Sequence, residues 1–171
     1  MVFHFFARLA CQIEGAPKCC VGNLGSTQRF DYSAIGDDVN VASRFEGLTK
    51  LYAVPLVTSE QTVSEAPDFP YLELDLVRVK GRDRPSRIYT LLSIFDIQKS
   101  RYTAIQSAHQ AMLDAYRKAD WNAAETALEA CRAQGIGALA GLYDLFKARI
   151  AIFKLTPPPA DWDGVFTAQE K

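Results

Sequence analysis

The sequence predicts an α+β protein in which a β-rich first half is followed by a helical second half. Short β-prone runs separated by glycine and proline turns occupy residues 18–92. From Ser93 onward, apolar residues recur at the three- and four-residue spacing of amphipathic helices. Hydrophobic residues make up 49% of the 171-residue chain, which is ample for a buried core.

The first half opens with a predicted β-hairpin. Residues 18–24 and 29–35 are its strands, and glycine with small polar residues forms the turn between them. A helix follows over residues 39–51, where apolar side chains form one stripe. Asp37 or Asp38 can cap the start of this helix.

Three further strands and one helical turn complete the β-rich half. Residues 55–58 form a short predicted strand, and residues 59–63 form the helical turn. Residues 72–80 and 86–92 are predicted as two strands joined by a turn at residues 81–85.

Three amphipathic stripes predict three helices in the second half. They cover residues 102–116, 121–131 and 139–153, and Asp120 can cap the second helix. The first two helices are similar to one tetratricopeptide-type hairpin. Because a solenoid needs about three stacked repeats, we expect a packed appendage rather than a peptide groove.

The chain's end is expected to leave the helical pattern. Pro157 and the two prolines after it end the third helix. The tail beyond them, which includes Trp162, Val165 and Phe166, is expected to be irregular and to fold back onto a hydrophobic groove.

Charge and cysteine content exclude several classes of function. Nineteen basic and twenty acidic residues give a formal charge of −1 without a basic block, so nucleic acid is not an expected partner. No segment approaches the roughly 18 apolar residues that span a bilayer, and no membrane contact is expected. Four cysteines without CxxC or Cys/His metal spacing are typical of reduced thiols in a cytoplasmic chain, and they predict no metal site.

Asn40 and Arg44 are the residues that most clearly indicate chemistry. Four residues apart on the predicted helix, they share one face. The amide can hold a hydroxyl or ring oxygen, and the guanidinium can stabilise charge on phosphoryl oxygens. The pair therefore indicates phosphate-ester chemistry, although on spacing alone such a pair is more typical of a solvated helix face.

Four separated motifs carry a family resemblance. They are GNLGS at residues 22–26, FDYSAIGDDVNVASRFE at residues 30–46, RVKGR at residues 78–82 and IYTL at residues 88–91. In order and spacing they resemble the C-terminal half of a class III nucleotidyl cyclase catalytic domain, which is ferredoxin-like.

The resemblance implies a domain organisation. Residues 1–17 are unmatched, residues 18–93 are a partial cyclase domain and residues 94–171 are a helical extension. The unmatched start is expected either from a truncated or disrupted reading frame or from a natural variant of the family.

The resemblance also implies an activity and a site. In this family the 3′-hydroxyl of ATP or GTP attacks the α-phosphate in a site shared by two domains. The family's Asn-x-x-x-Arg motif falls on Asn40 and Arg44, which would orient the ribose and stabilise the transition state. Ser33 falls on the purine-selecting position, where serine or threonine marks a subclass of adenylyl cyclases and favours ATP. Lys80 falls on a lysine that contacts the terminal phosphates.

The family's two metal-binding aspartates have no matched position in this sequence. The implied cofactor, Mg²⁺ or Mn²⁺, would therefore be bound by a missing upstream half or by a partner domain. We expect the chain to work only in a homo- or heterodimer with a second cyclase domain, and to be inactive alone. Two alternatives stay open, a non-catalytic dimerisation or regulatory module and a helical protein-interaction module.

Overall fold

The structure is a computed structural model that describes residues 20–24, 31–35, 37–78 and 84–167, with side chains described from residue 43 onward. The chain divides into two compact units, Met1–Gly47 and Leu48–Lys171, and each is described by itself.

The first unit contains the predicted hairpin and most of the predicted helix. Strand β1 (Cys20–Leu24) pairs antiparallel with β2 (Asp31–Ile35). Helix α1 spans Asp37–Leu51. The two strands and the helix are thereby confirmed, while the predicted turn between the strands lies outside the described residues.

A four-stranded sheet organises the second unit. Its strands are β3 (Thr58–Ser59), β4 (Tyr71–Arg78), β5 (Ser86–Leu91) and β6 (Phe166–Thr167). Helix α2 (Glu60–Glu65) lies between β3 and β4 in the sequence. The strand order is β3-β5-β4-β6, and all neighbours are antiparallel except β4 and β6. The strands and helical turn predicted from the sequence are present within a few residues of their predicted limits.

A bulge in β4 changes which side chains face the interior. Glu73 pairs with Tyr89, but Asp75 pairs with Ile88, so Leu74 is an extra residue on its strand. The bulge breaks the two-residue alternation and leaves both Leu74 and Asp75 fully buried. A carboxylate is thus turned into the core between apolar neighbours.

Three helices follow the sheet, as predicted. They are α3 (Tyr102–Arg117), α4 (Trp121–Ala133) and α5 (Ala140–Leu155). Asp120 caps α4, because its Oδ1 accepts a hydrogen bond of 3.0 Å from the backbone amide of Ala123. Since most neighbouring strands are antiparallel and three helices follow β5 in succession, the described chain is α+β.

The tail folds back onto the helices, as expected. The ring of Trp162 lies 5.2 to 5.8 Å from the rings of Tyr116, Trp121 and Phe153. The prediction of an irregular tail is wrong for its last described residues. Phe166 pairs with Val77, and this pairing forms strand β6. The two residues of β6 are too few to be recognised as a strand from the sequence. They form a strand because they pair with the exposed edge of β4.

Side chains of helix α3 pair with two further backbone carbonyls of β4. The Gln106 amide donates to the Tyr71 carbonyl at 2.6 Å, and His109 Nε2 lies 2.7 Å from the Glu73 carbonyl. Two side chains about one helical turn apart on α3 thus reach two carbonyls that are two residues apart on β4.

The family-based domain limits at residues 17 and 93 stay a prediction. None of the helices in the described part of the chain has the length and apolar character needed to cross a bilayer.

Candidate active-site helix and the network at its end

The predicted catalytic pair lies on helix α1. Asn40 and Arg44 are separated by four residues within the continuous helix Asp37–Leu51, which places both on one face about 6 Å apart along the axis. The Arg44 side chain is partly exposed, whereas Phe45 and Leu48 are buried. The guanidinium therefore lies on the accessible side of a helix whose apolar side is packed.

The other two predicted residues are only partly located. Ser33 lies in β2, opposite Gly22 of β1, and only its backbone is described. Lys80 lies outside the described residues, between the end of β4 and the start of β5. The convergence of Ser33, Asn40, Arg44 and Lys80 on one nucleotide therefore stays a prediction.

The described residues offer no metal centre. No group of three or more His, Cys, Asp or Glu side chains in this part of the chain is arranged to hold a metal ion.

A buried polar network that the sequence analysis did not anticipate lies at the C-terminal end of α1. Tyr52, directly after the helix, donates its hydroxyl hydrogen bond to Asp75 Oδ2 over 2.7 Å. Arg149 of α5 donates through Nη1 to the same oxygen over 2.6 Å. The other carboxylate oxygen accepts from the Leu76 backbone amide over 2.8 Å. Both oxygens of the buried carboxylate are thus paired.

Aromatic rings also stabilise the buried charge of Arg149. Its guanidinium carbon lies 3.7 Å from the ring centre of Phe166 in β6 and 5.3 Å from that of Tyr52. Burial, with the adjacent Asp75 carboxylate, raises the pKa of Tyr52 well above its ordinary value. Tyr52 is therefore a neutral hydrogen-bond donor at physiological pH.

Comparison with known proteins shows that part of this chain is similar to adenylate cyclases. It is 36% identical over 75 residues to Adenylate cyclase 1 of Rhizobium meliloti, which is 43% of this chain and 11% of that protein. It is 44% identical over 73 residues to Adenylate cyclase of Anabaena cylindrica, 40% of this chain and 14% of that protein. An uncharacterised protein of Mycobacterium tuberculosis is 36% identical over 76 residues, 13% of its length. Part of this chain is related to adenylate cyclases.

The extent of the cyclase relationship is limited. No protein-family model matches the chain. The chain spans only 11% and 14% of the length of the two named cyclases. The similarity supports a cyclase-related family at a coarse level. That this chain has a cyclase activity is therefore a proposal.

A second polar cluster joins α3 to the sheet. Glu73 Oε1 lies 2.5 Å from Arg117 Nη2 and 3.5 Å from Arg87 Nε. His109 lies beside this cluster, fully buried, and burial lowers its pKa to about 4. The burial of His109 was not predictable from the sequence, because a single histidine in a helical pattern can lie either in the core or at the surface.

An open groove of about 530 Å³ runs between α3 and the outer face of β4 and β5. Its lining includes Tyr71, Tyr89, Gln106, Gln110 and Asp114.

Proposed function

We propose that this chain supplies the Asn/Arg half of an adenylate cyclase site that converts ATP to 3′,5′-cyclic AMP and pyrophosphate. The observation that carries the proposal is the Asn40–Arg44 pair on one face of α1, in a chain partly related to adenylate cyclases. The other half of the site comes from a second cyclase domain in a homo- or heterodimer.

Arg44 acts on the charge that develops at the α-phosphate. The 3′-hydroxyl oxygen of ATP forms a bond to that phosphorus, the bond to the pyrophosphate oxygen breaks, and the hydroxyl proton is released. The Arg44 guanidinium donates hydrogen bonds to the non-bridging oxygens, and the Asn40 amide holds the ribose in line for attack. A preorganised donor of this kind contributes about 3 to 4 kcal/mol, or a hundred- to thousandfold in rate.

Ser33 and Lys80 contact the remaining parts of ATP in this proposal. The Ser33 hydroxyl hydrogen-bonds the adenine edge and so favours ATP over GTP. The Lys80 ammonium contacts the terminal phosphates as a mobile point charge.

Mg²⁺ or Mn²⁺ would neutralise the triphosphate and activate the attacking hydroxyl. The described residues do not fit such an ion, because no cluster of acidic, histidine or cysteine side chains among them could hold it. We therefore assign the metal ligands to the partner domain and expect the isolated chain to be inactive.

A complementation experiment tests this proposal. The purified chain is mixed with a class III cyclase domain that keeps its metal-binding aspartates but carries alanines at its Asn/Arg pair. Cyclic AMP should form in the mixture and in neither component alone. Arg44→Ala should lower turnover by about a hundred- to thousandfold with little change in melting temperature.

The exposed Lys50, on the same helix, provides a matched control. Lys50→Ala removes a positive charge from α1 without touching the proposed site, so turnover should be retained. Association of the two proteins without cyclic AMP would instead support a non-catalytic dimerisation module. If Arg44→Ala and Lys50→Ala lower turnover equally, Arg44 has no specific role in the reaction.

A further inference from the structure

The groove between α3 and the outer face of β4 and β5 has an aromatic wall and a polar wall. The sheet side carries the rings of Tyr71 and Tyr89, whose centres lie 6.4 Å apart in an edge-to-face arrangement. The helix side carries Gln106, Gln110 and Asp114, which recur every four residues. Successive members of this row are therefore about 6 Å apart along the axis of α3. With a volume of about 530 Å³, the groove has the size of a small-molecule site.

The polar wall presents hydrogen-bond acceptors to the groove. The Gln106 side-chain amide donates to the Tyr71 carbonyl at 2.6 Å, and the Gln110 side-chain amide donates to Asp114 Oδ1 at 2.8 Å. Because each amide nitrogen already donates within the protein, the amide oxygen is the atom that faces a ligand with fewest competing partners. The carboxylate of Asp114 can only accept. This row therefore selects a ligand that donates hydrogen bonds.

A further acceptor belongs to the lining of the groove. His109 Nε2 lies 2.7 Å from the Glu73 carbonyl, which can only accept, so Nε2 carries the proton and Nδ1 is an acceptor. His109 is 1% exposed, and its Nδ1 has no hydrogen-bond partner within the part of the chain that the structure describes. An unpaired buried acceptor also favours a donating ligand. Since burial lowers the pKa of His109 to about 4, its ring adds no positive charge at neutral pH.

The charge at the groove is negative. Glu73 and Asp114 are the charged residues of its lining. Glu73 is balanced, because Arg117 Nη2 lies 2.5 Å and Arg87 Nε 3.5 Å from its Oε1. Asp114 accepts from the neutral Gln110 and forms no ion pair with another described side chain. The charge of Asp114 is therefore the one that a cationic ligand can neutralise.

We propose that this groove binds a linear aliphatic polyamine, with one ammonium group at Asp114 and the next at Gln106. A protonated polyamine combines positive charge with several N–H donors, and its amino groups are spaced about one helical turn apart. The faces of Tyr71 and Tyr89 attract the ammonium groups and cover the methylene chain between them. All residues of this site lie within residues 71–114, so the site is independent of the proposed cyclase site.

Spermidine is the probe for the experiment. The full chain is titrated at neutral pH and constant ionic strength, and binding is followed by NMR of the backbone amides. The shifts should saturate with a dissociation constant on the order of 1 mM or lower and should concentrate at residues 71–73, 89 and 106–114. Butylamine, which has one ammonium group, should bind about fivefold more weakly because it reaches one end of the row only.

Asp114→Asn should weaken spermidine binding about three- to fivefold, because the amide keeps the shape of the side chain but removes its charge. The matched control is Asp144→Asn on α5, which removes the same charge from an exposed side chain that does not line the groove. This control should leave the dissociation constant unchanged.

The aromatic wall is tested at Tyr89. Tyr89→Phe keeps the ring and should change the dissociation constant less than twofold, whereas Tyr89→Leu should weaken binding about threefold. Circular dichroism and urea midpoints measure whether each variant is folded, and affinities are compared for the folded fraction.

Three results would overturn the polyamine site. The first is the lack of a saturable shift up to about 10 mM spermidine, well above the expected dissociation constant. The second is an equal loss of affinity for Asp114→Asn and Asp144→Asn, with shifts scattered over acidic surfaces, which would indicate general attraction of a polycation. The third is equal affinity for spermidine and butylamine, because the row on α3 would then not recognise successive ammonium groups.

Discussion

His109 should make the stability of the second unit depend on pH between about 4 and 6.5. Burial lowers its pKa from the ordinary 6.5 to about 4, and the positive charge of Arg117 acts in the same direction. In this interval the unfolded chain binds a proton that the folded chain does not. The free energy of unfolding should therefore fall as the pH falls, since protonation favours the unfolded state.

The expected magnitude follows from the two pKa values. Between pH 7.5 and pH 5, linkage gives a loss of about 2 kcal/mol, approaching roughly 3 kcal/mol near pH 4. With a typical denaturant slope, the urea midpoint should fall by about 1 M between pH 7.5 and 5. Fluorescence is a suitable probe because both tryptophans of the sequence, Trp121 and Trp162, lie in the aromatic cluster of this unit.

His109→Gln isolates the contribution. Glutamine can place an Nε2 donor near the Glu73 carbonyl, where His109 Nε2 now lies at 2.7 Å, and it does not titrate between pH 4 and 8. The variant should lose the extra pH dependence whatever its stability at pH 7.5. Parallel midpoint profiles for the two proteins would refute the reasoning, as would an imidazole that titrates near 6.5 by NMR in the folded state.

Three further predictions concern substrate choice, backbone strain and thiol reactivity. Ser33→Ala should weaken ATP use by about 1 kcal/mol and leave GTP use nearly unchanged, which the kcat/KM ratio of the two nucleotides in the complementation mixture measures. Gly164→Ala should destabilise the fold by about 1 to 3 kcal/mol, because φ is +76° and the new methyl would meet the Arg117 side chain at 3.0 Å. Urea midpoints measure that loss, and Gly137→Ala, with open space at its Cβ, should be nearly neutral. Burial raises the pKa of the Cys131 thiol to about 11, so its peptide should be alkylated slowly in the native protein and rapidly after unfolding, by mass spectrometry.

The elements were predictable where their signals are local. Helices α3, α4 and α5 follow from apolar periodicity, and the α4 start follows from Asp120, a side chain that caps its own helix. The strand limits follow from glycine and proline between β-prone runs. These signals act over a few residues, so one sequence is enough to detect them.

The network at the end of α1 was not predictable because each member has its partner far away along the chain. Arg149 is 74 residues from Asp75, and Asp75 faces inward only because of the bulge at Leu74. In the sequence, a regular strand would have turned that carboxylate to the outside. The one available signal is an acidic residue flanked by leucines, and it does not identify the partner.

The candidate site divides in the same way. The spacing of Asn40 and Arg44 fixes their shared face as soon as α1 is a helix. The placement of Ser33 relative to that helix depends on tertiary structure, and Lys80 lies outside the described residues. Their roles stay predictions that come from the family resemblance.

The outer edge of β4 has a practical consequence for anyone who works with part of this protein. Its carbonyls at Tyr71 and Glu73 are covered by α3 side chains, and its end is covered by β6, which comes from the last described residues of the chain. A fragment that stops at the end of the cyclase-like region, near residue 93, would expose that strand edge to other molecules. Exposed edges recruit further strands and lead to aggregation. The part of the chain after residue 93 therefore also protects this strand edge, and fragments should extend through Thr167.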